Sequence, residues 1–91
     1  MTERSVVLGN VHGLHARPAA EFVKLASRFV SDVKLSKGDL TIDGKSIMGV
    51  MMLAAECGSK LTLRVDGRDE SEAAASLAAF LESETLEGKA L

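Results

Sequence analysis

The 91-residue sequence predicts an α+β fold in which one antiparallel sheet is covered by helices on a single side. Three observations carry that class. The elements read in the order β-α-β-β-α-β-α, the strands alternate apolar and polar residues so that one sheet face stays in water, and the longer helices each bear one apolar stripe. The length suits one domain, residues 1–91, and chains of this size bury somewhat over ~60% of their unfolded surface. A hydrophobic content of 46% with near-balanced charge opposes disorder.

Thr2 to Leu8 alternates as a strand, with Arg4, Val6 and Leu8 on one face and Glu3, Ser5 and Val7 on the other; Gly9-Asn10 ends it. Val11 to Leu14 forms a loop leading to His15. From Ala16 to about Phe29, the residues Ala19, Phe22, Val23, Ala26 and Phe29 recur at helical spacing and face the core, while Arg17, Glu21, Lys24 and Arg28 make a polar stripe. Asp32–Ser36 and Leu40–Ile42 form a hairpin around Lys37-Gly38-Asp39. Ser46 reads as the N-cap of a short helix through Ala54, with Gly58 past its end as a stop signal. Met48, Met51 and Met52 on that helix have the spacing of core residues. Lys60–Asp66 shows the cleanest alternation, with Leu61, Leu63 and Val65 inward. Gly67 turns the chain, Asp69 with Glu72 has the pattern of a capping box, and Ala73, Ala74, Leu77, Phe80, Leu81 and Glu84 outline a last helix. Thr85 to Leu91 is expected to fray.

Composition excludes several functions. A net charge of −2 and the absence of Trp and Tyr oppose nucleic-acid binding. A single cysteine, Cys57, cannot form an intrachain disulfide and suits a reducing compartment; it reads as a small, partly buried hydrophobe. No secretory apolar core and no run of ~20 apolar residues is present, so no membrane insertion and a soluble, cytoplasmic protein are expected. Gly44-Lys45-Ser46 resembles the end of a nucleotide-binding P-loop, but Gly38 and Gly44 are separated by five residues (39 to 43) where the motif has four.

The chemistry concentrates in His12-Gly13-Leu14-His15-Ala16-Arg17-Pro18-Ala19-Ala20. A helix begins with N–H groups that lack intrahelical partners and with the positive end of its dipole, a setting that welcomes an anion. Pro18 has no N–H to lose in a first turn, which supports the boundary. His15 then stands at or near the N-cap. Positive potential there favours an uncharged ring with a nitrogen free to attack, and Arg17 can pair with phosphate oxygens. The arrangement suits a histidine that accepts and donates phosphate. His12 and His15 without a Cys, Asp or Glu at ligand spacing do not make a metal site, and neither a metal nor a cofactor is expected. Lys24, with Arg17 and Lys45, offers positive charge to an acidic partner.

Gly13-Leu14-His15-Ala16-Arg17-Pro18-Ala19 resembles the active-site signature of the histidine-containing phosphocarrier (HPr) family of the bacterial phosphoenolpyruvate-dependent sugar phosphotransferase system. Lys45-Ser46-Ile47-Met48-Gly49-Val50-Met51 resembles the segment around that family's regulatory serine, at the family's spacing from the histidine, and Asp66-Gly67-x-Asp69-Glu70 before the last helix also fits. The resemblance implies an open-faced β-sandwich, four strands with three helices on one face. It implies phosphorylation of His15, on Nδ1, by enzyme I, with phosphoenolpyruvate as the source, and onward transfer to IIA domains of sugar permeases. Arg17 matches the arginine that assists the phosphate, and Ser46 matches the serine modified by a dedicated kinase. Ser46 caps its helix whether or not it is modified. As a hypothesis, phosphate there suits the helix end, by up to ~2 kcal/mol, yet repels acidic partners.

The same resemblance turns Met48 and Met51 outward as an apolar docking patch, on a surface that takes Ala16, Ala20, Lys24, Lys45 and Ile47 as well. His12 departs from the small polar residue that the family commonly has there, and no role is assigned to it. The expected protein is a monomeric, stoichiometric phosphotransfer intermediate rather than a stand-alone enzyme, with a serine kinase or phosphorylase and a regulatory protein as further partners. Two alternatives stay open: a regulatory binding module that passes no phosphate on, and a carrier of the nitrogen-related branch of the system.

Overall fold

β4 (Lys60–Asp66) is the strand around which the sheet assembles, paired with β1 (Thr2–Val7) on one side and β2 (Asp32–Lys37) on the other. β3 (Leu40–Asp43) completes the order β1-β4-β2-β3, with every pair antiparallel. The computed structural model describes residues 1–10 and 13–83. Between the strands lie α1 (Ala16–Ala26), α2 (Ile47–Met52) and α3 (Glu70–Glu82), so the predicted β-α-β-β-α-β-α order is the observed one.

Strand alternation decides which face the helices cover. Leu61, Leu63 and Val65 of β4 are buried with Val6, Val33 and Leu35 of its neighbours, while Lys60, Arg64 and Asp66 point to solvent. The register explains the match, because Val6 lies opposite Leu61, and Leu35 and Val33 lie opposite Leu63 and Val65. On the solvated face the same register lines up Ser5, Thr62, Ser36 and Thr41 in one row and Glu3, Arg64, Lys34 and Asp43 in the next. α1 and α3 bring Ala19, Phe22, Ala26, Ala73, Ala74, Leu77, Ala78 and Leu81 onto the covered face. Phe22 has no exposed surface and meets Phe80 in a tilted arrangement, with ring centroids 6.0 Å apart and planes at 53°.

Several local expectations are corrected. α1 ends at Ala26, short of Phe29: Arg28 and Phe29 donate to the carbonyls of Leu25 and Ala26 in tight i→i−3 turns, and Phe29 still packs on the core from outside the helix. The hairpin turn is the two residues Gly38-Asp39, since Lys37 pairs with Leu40, and Gly38 at φ +60° supplies the left-handed position that such turns need. α2 stops at Met52, two residues before the expected Ala54, which itself adopts φ +50°. Met52 is 65% exposed rather than in the core, because this short helix has one buried position, Val50. Cys57 is exposed rather than partly buried, since it sits in the turn between α2 and β4.

The capping box does not form. Asp69 is the N-cap of α3, but its carboxylate accepts hydrogen bonds from the N–H groups of Val30 and Ser31, each at 3.1 Å, and from the Ser31 hydroxyl. These bonds tie the turn after α1 to the start of α3. The Ser31 hydroxyl, chiefly, and the two N–H groups hold the Asp69 carboxyl below its ordinary range. Glu70 takes over at the helix end: its carboxylate accepts from the Gly67 N–H and the Thr2 hydroxyl and lies 3.0 Å from the α-amino group of Met1. Its pKa is lowered to about 2, with the Gly67 N–H as the largest cause. The expectations for Glu84 and for Thr85 to Leu91 lie outside the described residues.

Candidate functional site

The segment before α1 is held by backbone hydrogen bonds at three points. Gly9 donates to the carbonyl of Leu81, at 2.9 Å, which fixes the end of β1 against α3. Buried Asn10 then clamps the loop from both sides: its carbonyl accepts from the Gly13 N–H, at 3.0 Å, and its side-chain amide donates to the Gly13 carbonyl, at 2.9 Å. Leu14, only 3% exposed, donates to the carbonyl of Ala55 at 2.9 Å. Gly13 is required at this point. Its φ is +76°, and a Cβ there would stand 2.5 Å from the Ala55 oxygen.

His15 follows as the N-cap of α1, with φ −92° and ψ −165°. Its carbonyl accepts from the Ala19 N–H at 2.9 Å, so the backbone of His15 is part of the helix entrance, while its side chain makes no capping hydrogen bond. Ala16 and Arg17 are the first two helical residues, at the end of the helix where backbone N–H groups point outward; Pro18, the third, is buried. α1 has no acidic residue in its first turn to offset the positive dipole end. His15, Ala16 and Arg17 are exposed. Ala20 is half-buried and Lys24 exposed, and the spacing Arg17, Ala20, Lys24 puts the three on one stripe of α1. The result is an open, positively biased helix entrance that displays an imidazole and a guanidinium.

α2 runs antiparallel to α1. Ala55, beyond its C-terminal end, meets the His15 loop, whereas the Lys45 ammonium, before its N-terminal end, donates to the Phe29 carbonyl beyond α1, at 2.8 Å. Because α1 has 11 residues and spans about 16 Å, Lys45 and Ser46 lie at the far end from His15. Lys45 is half-buried and engaged with Phe29, whereas Lys24 in the last turn of α1 is exposed. The Ser46 hydroxyl accepts from the Gly49 N–H at 3.1 Å, and this cap holds the start of α2. Ile47, Met48 and Met51 are exposed, at 44%, 73% and 41%, so α2 presents an apolar surface beside α1. Among the described residues no three His, Cys, Asp or Glu gather as metal ligands, and His12 lies outside those residues.

Two structural contributors escape the sequence reading. Asn10 carried a visible signal, since Gly9-Asn10 at a strand end is turn chemistry, yet its role as a clamp depends on burial. Lys37 carried none. Its ammonium donates to the carbonyls of Leu53 and Ala54, each at 3.3 Å, across 16 and 17 residues of sequence.

Comparison with known proteins agrees with this geometry. The family model described as the phosphorylation site of the HPr component of the phosphotransferase system matches residues 2–83. The phosphocarrier protein HPr of Cupriavidus necator is 48% identical over 89 residues, covering 98% of this chain and all of the relative. A crystal structure of HPr from Thermoanaerobacter tengcongensis superposes with a TM-score of 0.89 at 41% identity, covering 100% of both chains. The Bacillus subtilis catabolite-repression protein Crh, whose crystal structure is described as a dimer with a swapping domain, is 46% identical with a TM-score of 0.75, covering 94% of this chain and 99% of its own. With a family model spanning nearly all of the described residues and a relative matched along its whole length, the chain belongs to the HPr phosphocarrier family of the phosphotransferase system.

Proposed function

We propose that this chain carries a phosphoryl group on His15, taking it from phosphorylated enzyme I and passing it to IIA domains of sugar permeases. A lone pair of the His15 ring, at Nδ1, attacks the phosphorus. The bond from phosphorus to enzyme I breaks and its electron pair returns to enzyme I. In the second transfer the acceptor attacks, the phosphorus–nitrogen bond breaks, and the electron pair stays on His15. Arg17 and the first-turn N–H groups of α1 stabilise the charge that the phosphoryl oxygens carry. The observation that carries the reading is the exposed imidazole at the entrance of α1, whose backbone is fixed at Gly13, Leu14 and Ala19 while its side chain is not used as a cap.

Donor and acceptor meet the same surface in turn, formed by Ala16, Ala20 and Lys24 of α1 with Ile47, Met48 and Met51 of α2. Lys45 acts at its far edge. Exposed methionines suit a surface that must fit several partners. Ser46 is the regulatory position in this reading, which rests on the resemblance of Lys45 to Met51 to the family's regulatory segment. A phosphate there adds charge where donor and acceptor dock, and its distance from His15 makes it act on docking rather than on the ring. The carrier works as a monomer in the cytoplasm; among the described residues no helix is long and apolar enough to cross a membrane.

The test mixes the full chain with enzyme I and labelled phosphoenolpyruvate. Acid-labile label is expected on the wild type and not on His15→Ala, and Arg17→Ala should slow the transfer. Equal acid-labile labelling of His15→Ala would refute the assignment. Incubation with a serine kinase and ATP should give acid-stable label that Ser46→Ala abolishes.

A further inference from the structure

We propose that Lys37 is a positioning residue for His15, acting through the C-terminal end of α2; the proposal rests on His15 being the phosphoryl carrier. Lys37 closes β2, and its half-buried ammonium bridges the carbonyls of Leu53 and Ala54, each at 3.3 Å. The last carbonyls of a helix lack intrahelical partners and carry the negative end of its dipole. α2 has no basic residue in its own last turn, so the charge arrives from the hairpin.

The clamped segment is strained. Ala54 sits at φ +50°, where a residue with a Cβ is disfavoured, so its neighbours must hold it there. One residue later the Ala55 carbonyl receives the Leu14 N–H at 2.9 Å, and the backbones approach too closely at Gly13 for any side chain. Leu14 is bonded to His15 in the chain. A continuous path therefore runs from the Lys37 ammonium through Leu53 to Ala55, then to Leu14 and the N-cap. Loss of the ammonium frees Ala54 to leave the left-handed region and shifts the carbonyl on which the His15 loop is docked.

The experiment compares full-length wild type with Lys37→Met, which keeps an apolar stem, and Lys37→Arg, which keeps charged donors. Native-state hydrogen exchange followed by NMR should show the Leu14 amide of Lys37→Met exchanging about tenfold faster, the loss expected for a charge-assisted hydrogen bond, with Leu63 and Val65 of β4 unchanged. The His15 ring resonances should move in Lys37→Met, its phosphorylation by enzyme I should slow, and Lys37→Arg should restore all three. The proposal is overturned if Leu14 exchange follows that of β4 in every variant, or if Lys37→Arg fails to restore it. Absence of acid-labile label on the wild type would overturn the carrier reading instead, and the exchange rates report on Lys37 separately from that result.

Discussion

Replacing Gly13 by Ala should damage the protein more than the same change at Gly58, and the size of the difference can be worked from these two glycines. Gly13 has φ +76° and Gly58 has φ +87°, so both substitutions place an L side chain in the left-handed region. That conformation costs roughly 1–2 kcal/mol, less the ~0.5–1 kcal/mol recovered because alanine has less freedom to lose on folding. Gly58→Ala should therefore lose about 1 kcal/mol, since a Cβ there meets nothing within 4 Å. At Gly13 the new methyl would lie 2.5 Å from the Ala55 oxygen and 3.2 Å from the Glu56 Cα, both backbone atoms that cannot rotate away. Overpacking of that kind adds about 1–3 kcal/mol, for a total near 2–4 kcal/mol. Urea unfolding with a common slope measures both losses. If the two variants were destabilised equally, to within about 0.5 kcal/mol, the loop would not be docked on Ala55 as described. Gly13→Ala should also accept phosphate from enzyme I more slowly than Gly58→Ala, because it displaces the backbone that delivers His15.

Ser46→Ala should lower stability by about 1 kcal/mol through loss of the Gly49 cap, and Ser46→Asp should keep most of it, since a carboxylate caps as well; urea midpoints check both. Stability should fall as the pH drops from about 4.5 toward 2. Asp69 and Glu70 both have folded pKa values below their unfolded ones, so the stability they contribute is present above pH 4.5 and is lost as the folded carboxylates take up protons, Glu70 near 2. Glu70→Gln should flatten that decline, and an unchanged pH profile would remove Glu70 from the account. Phe22→Ala should cost about 3–5 kcal/mol, whereas Met52→Ala should stay within about 0.5 kcal/mol, a contrast that thermal or urea unfolding resolves directly.

Local pattern was enough wherever one face of an element settles its fate. The alternation of Lys60–Asp66 places a strand correctly to both ends because β4 is paired on both sides and one face is wholly covered. It was not enough at element ends and at charged side chains. The apolar period of α1 runs on to Phe29, yet the helix stops at Ala26, because Phe29 reaches the core as well from a tight turn as from a helix. Asp69 and Glu72 have the spacing of a capping box, but the Asp69 carboxylate finds three donors at Val30 and Ser31, which no nearby sequence announces. Lys45 reads as one more exposed cation, and only the antiparallel packing of α1 and α2 brings its ammonium to the Phe29 carbonyl.

By itself the sequence determined the order of elements, the buried face of β4 and the helix entrance occupied by His15, Arg17 and Pro18. These depend on residue type and spacing within a few positions of one another, which is the range over which backbone preference and hydrophobic period act. Tertiary structure decided the rest: that Met52 faces water, that Ser46 and Lys45 lie at the far end of α1 from His15, that Asn10 and Ala55 hold the segment before His15, and that Lys37 reaches the end of α2. The physical reason is that a carbonyl or a carboxylate accepts a hydrogen bond from whatever donor the folded chain brings to it, and that donor can stand forty residues away.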